Sequence, residues 1–379
     1  MSTRAPRGFV LVLASWRPDA PAGIERATAA LAAGLAEAGH RAVIATAAPQ
    51  PAAPALAGVA VEDLDLGVVF PCDDDTLRAA VTARQDKTIR RLCDIAERHQ
   101  ADTIVFTDAL WGLGRIAPAL PVRYRCVLAA HVLPHRVDMR PALQRADAVI
   151  VPSAYVRDEA AAAGWPSASW KVVPNALLQN PDPQPAAVRR ACAGNPVRVL
   201  ARLGPEKGVL PLLEAAADHA PVQGLEVVLA SAGFEETPGA QRSLLERCRR
   251  AADAAPRVNL TTTGLPWQEV PGWLAGASVV IVPSLKETFG LVALEAMSVG
   301  TPVVAHQVGN LPALLDHGPD PTLPPLLADP RHGPEALLRL VQGVLADPVT
   351  YGRTSEAMYH LSQDYRPVRV AQLLVKAVS

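Results

Sequence analysis

Short apolar runs separated by helical stretches dictate the architecture of this chain. Residues 9–14, 41–45, 103–107, 124–130 and 148–151 each carry consecutive apolar side chains, the pattern of strands buried on both faces. Between the first two, Ile24, Ala27, Leu31 and Leu35 recur at helical spacing and Gly39 ends the helix. Strands alternating with helices build right-handed βαβ crossovers, and hence a parallel sheet. A second series starts at residues 197–200 and continues through 225–230, 258–261, 278–282 and 302–305. Between the series, after Lys171-Val172-Val173-Pro174-Asn175, a polar stretch punctuated by Pro181, Pro183, Pro185 and Pro196 reads as a linker with a short helix around 186–193. The expected fold class is α/β: two Rossmann-like doubly wound domains, 1–180 and 181–365, facing across a cleft. Ligands of such sheets bind in the crevice beyond the carboxyl ends of their strands. A last helix is expected after Pro367, where Val370, Leu373, Leu374 and Ala377 share a face.

Composition narrows the partners. A chain of 379 residues supports two cores, and its net charge of −1 provides no basic field for nucleic acid. Alanine supplies much of the 50% hydrophobic content, but no segment reaches the roughly 18 uninterrupted apolar residues of a membrane span. The first strand is too short for a signal peptide and lacks a small-residue cleavage site after it. No amphipathic helix with a dense Lys/Arg face favours membrane docking. The five cysteines (Cys72, Cys93, Cys126, Cys192, Cys248) are scattered without a C-x-x-C pair, so they read as buried, reduced thiols in a cytoplasmic protein.

The most telling segment is Pro283-Ser284-Leu285-Lys286-Glu287-Thr288-Phe289-Gly290-Leu291-Val292-Ala293-Leu294-Glu295. It follows the β-branched run at 278–282, and from Leu291 onward Leu291, Leu294 and Met297 share a helical face until Gly300. Glu287 therefore lies on the strand-to-helix turn and Glu295 about one turn inside the helix. Free backbone N–H groups at such a turn, with a carboxylate before them, can hold an anion and a polyol together. The segment resembles the glutamate–seven residues–glutamate motif of retaining glycosyltransferases of family 4, which have the GT-B fold. That resemblance implies a nucleotide-diphosphate sugar as donor, a UDP-sugar being favoured, and a sugar transferred to an acceptor hydroxyl with retention. It also implies that the terminal helix, about 366–379, packs back on the first domain.

Other strings fit the same resemblance. Val199-Leu200-Ala201-Arg202-Leu203-Gly204-Pro205-Glu206-Lys207-Gly208 is similar to the family's Gly-Arg-Leu-x-x-Glu-Lys-Gly motif, with Ala201 in place of the first glycine. Arg202 can fork two N–H bonds onto phosphate oxygens and Lys207 adds a mobile charge, so a diphosphate can be held without a metal. The bland alternative is a surface ion pair between Glu206 and one of the two cations. Pro21-Ala22-Gly23-Ile24 resembles the family's Gly-Gly loop, with only Gly23 carried over. Thr263-Gly264-Leu265-Pro266 resembles the segment whose backbone reads the nucleobase, which assigns Leu265 to the base; Ser231-Ala232-Gly233 matches that region's glycine-rich turn loosely.

By the same resemblance His131, ending a strand run, touches the donor sugar, and Glu287 accepts from a sugar hydroxyl and supports charge at the anomeric carbon. Phe289, Gly290 and Leu291 offer backbone N–H groups to sugar and phosphate, and Glu295 accepts from ribose hydroxyls. His131 and His135 read less well as metal ligands, because Pro134 interrupts any helix between them and no third ligand accompanies them. The acceptor is expected on the first domain around Trp16, Asp19, Trp111 and His135, with a helix from the stretch 72–91; ordinary packing explains each of these as well. A small natural-product core or a glycolipid are both acceptors of the expected kind. Two other readings stand beside the transferase: a GT-B nucleotide-sugar epimerase, and a non-catalytic sugar-nucleotide-binding partner protein. A dehydrogenase is disfavoured, since no Gly-x-Gly-x-x-Gly follows the first strand, and there is no Walker loop.

Overall fold

The computed structural model describes residues 6–47, 56, 58–69, 72–133, 136–182, 184–231, 239–318 and 323–379. The chain divides into two units, Met1–Leu178 with Tyr365–Ser379, and Gln179–Asp364.

In the first unit a seven-stranded sheet runs in the order β3-β2-β1-β4-β5-β6-β7. Its strands are β1 (Gly8–Val12), β2 (Arg41–Thr46), β3 (Ala60–Asp63), β4 (Thr103–Thr107), β5 (Arg125–Ala129), β6 (Ala148–Val151) and β7 (Lys171–Val172). Every pairing is parallel, with Val10 opposite both Val43 and Ile104. All five residues of β1 and of β4 are buried, as central strands covered on both faces must be. The helices are α1 (Gly23–Glu37), α2 (Asp74–Ala83), α3 (Gln85–Arg98), α4 (Leu113–Ile116), α5 (Arg136–Arg145) and α6 (Ala154–Ala162). Asp73 caps α2 by accepting from the Thr76 amide, and the stretch 72–91 holds two helices rather than one.

The second unit repeats the plan with a six-stranded parallel sheet in the order β10-β9-β8-β11-β12-β13. These are β8 (Val197–Arg202), β9 (Leu225–Ala230), β10 (Val258–Thr261), β11 (Val280–Val282), β12 (Val303–His306) and β13 (Leu327–Ala328). The helix near 186–193 is α7 (Ala186–Ala191). It is followed in this unit by α8 (Val209–His219), α9 (Ala240–Asp253), α10 (Val270–Ala275) and α11 (Leu291–Ser298). Beyond these lie α12 (Leu311–Leu314), α13 (Glu335–Leu345) and α14 (Pro348–Ser362). The last helix, α15 (Pro367–Ala377), returns to the first unit. It packs on α1 so closely that a Cβ on Gly34 would stand 2.3 Å from the Pro367 carbonyl oxygen.

Strand order reverses between β1 and β4 in the first unit, and between β8 and β11 in the second. The carboxyl ends of neighbouring strands diverge at such switch points and leave room for a ligand. The Arg202–Lys207 string follows β8 and the Glu287 string follows β11, so the fold brings both to the switch point of the second sheet. No helix among the described residues is long and apolar enough to cross a membrane. The cysteines are free, but only Cys126 and Cys248 are buried; Cys72, Cys93 and Cys192 are half-buried, which corrects the expectation of five buried thiols.

Candidate active site

Two turns meet beyond β8 and β11. Gly208 adopts φ +65 as the residue capping α8, and a Cβ there would lie 2.0 Å from the Pro283 carbonyl oxygen. Only glycine tolerates that backbone and that approach. The Leu285 amide donates to the Glu206 carbonyl at 2.8 Å, fastening the turn after β11 to the one after β8. With the backbones fixed this way, Lys207 Nζ donates to Glu287 Oε2 at 2.9 Å, both side chains being mostly buried. Ser284 Oγ donates to the same oxygen at 3.4 Å. Arg202 Nη2 donates to Glu206 Oε1 at 2.7 Å on the more exposed side.

The turn carrying Glu287 is held from beneath by residues after β12. A Cβ on Gly309, at φ +57, would be 1.6 Å from the Glu287 carbonyl oxygen, and that oxygen accepts from the Asn310 amide at 3.2 Å. Asn310 Nδ2 donates to the Phe289 carbonyl at 3.1 Å, and the Phe289 ring is buried. His306, buried at the end of β12, directs Nδ1 at the Pro283 carbonyl at 3.0 Å, and burial lowers its pKa. With a carbonyl oxygen as its partner, Nδ1 carries a proton.

Gly290, at φ +103, caps α11. The first amides of that helix lack intrahelical acceptors and point out of its N-terminus, the favourable end for an anion. Leu291 begins the helix, and Glu295, its fifth residue, is buried. Gly264 (φ +70) follows β10 and donates its amide to the Leu229 carbonyl, leaving Leu265 half-buried beside the end of β9. The second unit therefore gathers Arg202, Lys207, Glu287, Gly290, Leu291 and Glu295 around adjacent strand ends. Ala232 and Gly233 lie outside the described residues.

In the first unit, Gly23 is exposed at the start of α1, whose extended N-cap Ala22 provides no side-chain acceptor. His131 follows β5 and lines a cavity of about 20 Å³ with Thr107 and Asn175. Burial pushes its ring down to about 4, so it stays neutral near pH 7. Beneath it lies Asp108, buried at φ +81, whose carboxyl accepts from the amides of Ala109 at 2.8 Å and Val132 at 3.2 Å. Burial outweighs those hydrogen bonds and raises Asp108 to about 7.

The acceptor-side residues divide. Asp19 is exposed. Trp16 is fully buried, its indole N–H donated to the Glu25 carbonyl at 3.1 Å, so it is a packing residue that shows an acceptor no surface. Trp111 is 7% exposed and donates to Asp74 Oδ1 at 3.0 Å, leaving little of its ring open. His135 and Pro134 lie outside the described residues. Among the described residues no group of three or more His, Cys, Asp or Glu side chains is placed to hold a metal ion. Sequence reasoning left Asp108, His306 and Asn310 unassigned. A polar residue directly after an apolar strand run is the signal that Asp108 and His306 shared, whereas Asn310 lies four residues past the end of β12.

A family model described as "Glycosyltransferase Family 4" matches residues 21–177, and one described as "Glycosyl transferases group 1" matches 196–347. The D-inositol 3-phosphate glycosyltransferase of Corynebacterium glutamicum (strain R) is 34% identical over 168 residues, covering 42% of this chain and 37% of that protein. The alpha-maltose-1-phosphate synthase of Mycolicibacterium smegmatis is 33% identical over 153 residues, covering 40% and 39%. The matched stretches thus span well under half of these relatives' own lengths. Among solved structures, sucrose-phosphate synthase from Thermosynechococcus elongatus superposes with a TM-score of 0.75 over 98% of both chains at 20% identity. Anabaena HepE, solved with UDP and glucose, gives 0.73 over the same shares, also at 20%. The fold is the GT-B arrangement of two Rossmann-like domains. The chain belongs to family 4 of the glycosyltransferases.

Proposed function

We propose that the chain transfers a sugar from a nucleotide-diphosphate sugar, a UDP-sugar in the first instance, to an acceptor hydroxyl with retention of configuration. The observation that carries this reading is the Lys207–Glu287 contact of 2.9 Å at the second sheet's switch point, which sets a phosphate-binding cation beside a carboxylate suited to sugar hydroxyls. Arg202 and Lys207 take the diphosphate, and the amides opening α11 add oriented donors. As the glycosidic bond stretches, the ring gains positive charge and the diphosphate gains negative charge. Groups already aimed at that leaving oxygen lower the barrier without reorganising. Glu287 supports the ring's charge, Glu295 takes the ribose hydroxyls, and a phosphate oxygen of the leaving group receives the acceptor's proton. Neutral His131 contributes a hydrogen bond to the sugar rather than charge.

One relative's name supports a small hydroxylated acceptor, since D-inositol 3-phosphate is a phosphorylated polyol, and HepE's complex supports UDP as the first nucleotide to try. A thermal-shift screen of UDP, GDP, ADP and their sugars tests the donor. A ligand at 100 times its Kd stabilises by about 2.7 kcal/mol, and Lys207→Ala is expected to erase most of the shift. No shift with any nucleotide overturns the reading. Product analysis with and without acceptor separates transfer from epimerisation, which needs none.

A further inference from the structure

We propose that Glu206 and Glu287 are the resident counter-ions of the diphosphate clamp, and that an incoming diphosphate displaces both. The proposal rests on the donor reading above and deepens it by giving Glu206 a role. Each cation of the clamp is paired within the unit: Arg202 with Glu206 at 2.7 Å and Lys207 with Glu287 at 2.9 Å. The two pairs alternate in sign across two turns joined by the Leu285-to-Glu206 backbone hydrogen bond. Gly204 makes room for the arrangement. Its backbone is extended, and a Cβ there would stand 2.4 Å from Glu206 Oε2 and 2.6 Å from Oε1, so any side chain would push the carboxylate off Arg202.

The consequence follows from charge. A diphosphate that takes Arg202 Nη2 meets the Glu206 carboxylate already bonded there, so at that nitrogen Arg202 exchanges one anion for another. Glu206, on a turn pinned by its own carbonyl, swings its carboxylate into solvent. At Lys207 the exchange does more. When Lys207 turns to phosphate, Glu287 loses its cation, keeps only the longer Ser284 hydroxyl contact and becomes available to a sugar hydroxyl. Binding of the diphosphate thereby delivers the carboxylate that the sugar needs. Glu206 is in this account a positioning residue: it holds the Arg202 guanidinium and balances its charge while the clamp is empty, at a cost in affinity for the bare diphosphate.

The test is isothermal titration of UDP, with GDP, ADP and inorganic pyrophosphate in parallel, into the full-length wild type, Glu206→Gln, Glu206→Ala and Glu287→Gln. Loss of the competing carboxylate at the half-exposed Arg202–Glu206 pair should tighten diphosphate binding about two- to fivefold in both Glu206 variants, with at least as large a gain from Glu287→Gln at the more buried Lys207 pair, and the gain should shrink as salt rises. Structural damage would weaken binding, so tightening reports the counter-ion role itself. Unchanged or weaker binding in both Glu206 variants, with wild type binding normally, overturns the proposal and leaves the donor reading intact. Absence of binding by every diphosphate in wild type and variants alike overturns both.

Discussion

At Asp108, burial raises the carboxyl from 3.8 to about 7 even though two backbone amides donate to it at 2.8 and 3.2 Å. At His131, burial lowers the ring from 6.5 to about 4. The two titrations oppose each other. Between about 4 and 6.5 the unfolded chain binds the His131 proton and the native state does not, so stability from His131 falls as pH drops. From 3.8 to about 7 the native state keeps the Asp108 proton that the unfolded chain has lost, so stability from Asp108 falls as pH rises. Asp108→Asn removes the second effect and retains a residue type that tolerates φ +81. Acid destabilisation of the variant between pH 6.5 and 4 is expected to steepen by at most about 1.4 kcal/mol per pH unit relative to wild type. Urea midpoints measured at pH 4.5, 5.5 and 6.5 check this, and parallel pH profiles would refute it. A constant loss of about 1–3 kcal/mol should accompany the slope, because one amide faces an NH2 group in place of a carboxyl oxygen.

At the scale of elements, α7 is fastened by one side chain. Arg189 is buried, and its guanidinium donates to the carbonyls of Ala275 at 2.5 Å and Ala277 at 2.9 Å and to the Tyr351 hydroxyl at 2.6 Å. It ties α7 to the C-terminal end of α10 and to α14, and its positive charge suits a helix C-terminus. Arg189→Met keeps bulk but strands those acceptors, and a loss of about 1–3 kcal/mol for each buried acceptor left unsatisfied is expected from chemical denaturation. A second element-level prediction concerns the Glu287 turn. Gly309→Ala drives a Cβ into the Glu287 carbonyl and cannot hold φ +57 without strain, so UDP affinity should fall at least tenfold, on the order of 1.4 kcal/mol, as read by titration. The sequence made the central strands and the two turns after β8 and β11 legible because their apolar runs and charged strings are local patterns. It did not make β3, β7 or β13 legible: Ala60–Asp63 carries two carboxylates and the other two strands have two residues each, so they are set by the neighbouring strand. Asn310 was hidden for a related reason, since its partners are backbone groups of a different turn, whereas the Arg202–Glu206 ion pair was legible as the bland alternative at the string after β8. Trp16 was misread because an aromatic near a strand end looks alike whether it faces solvent or the core.

The path of the whole chain sets a further condition on stability. It leaves the first unit at Leu178 and re-enters at Tyr365, and the Leu177 amide donates to the Tyr365 carbonyl at 2.9 Å where the two passes meet. Beyond that point α15 buries Val370, Ala371, Leu374 and Val375, with its first turn against Gly34 of α1. The first unit's hydrophobic core is therefore completed by residues that follow the second unit in the chain, while Gln179–Asp364 forms its own unit without them. Burial of a Val or Leu side chain contributes roughly 1.5–3 kcal/mol, so α15 accounts for a share comparable with the 5–15 kcal/mol net stability of a whole domain. A chain ending at Asp364 should keep a folded, nucleotide-responsive second unit beside a first unit that is unfolded or nearly so at 25 °C. Calorimetry with and without UDP reads both at once. The truncated chain is expected to lose the transition that UDP leaves unmoved and to keep the one that UDP raises. Hydrogen exchange should show the amides of α1 unprotected and those of α8 and α11 still protected. Two intact transitions in the truncated chain would mean that α1 needs no cover from α15, contrary to the backbone contact at Gly34.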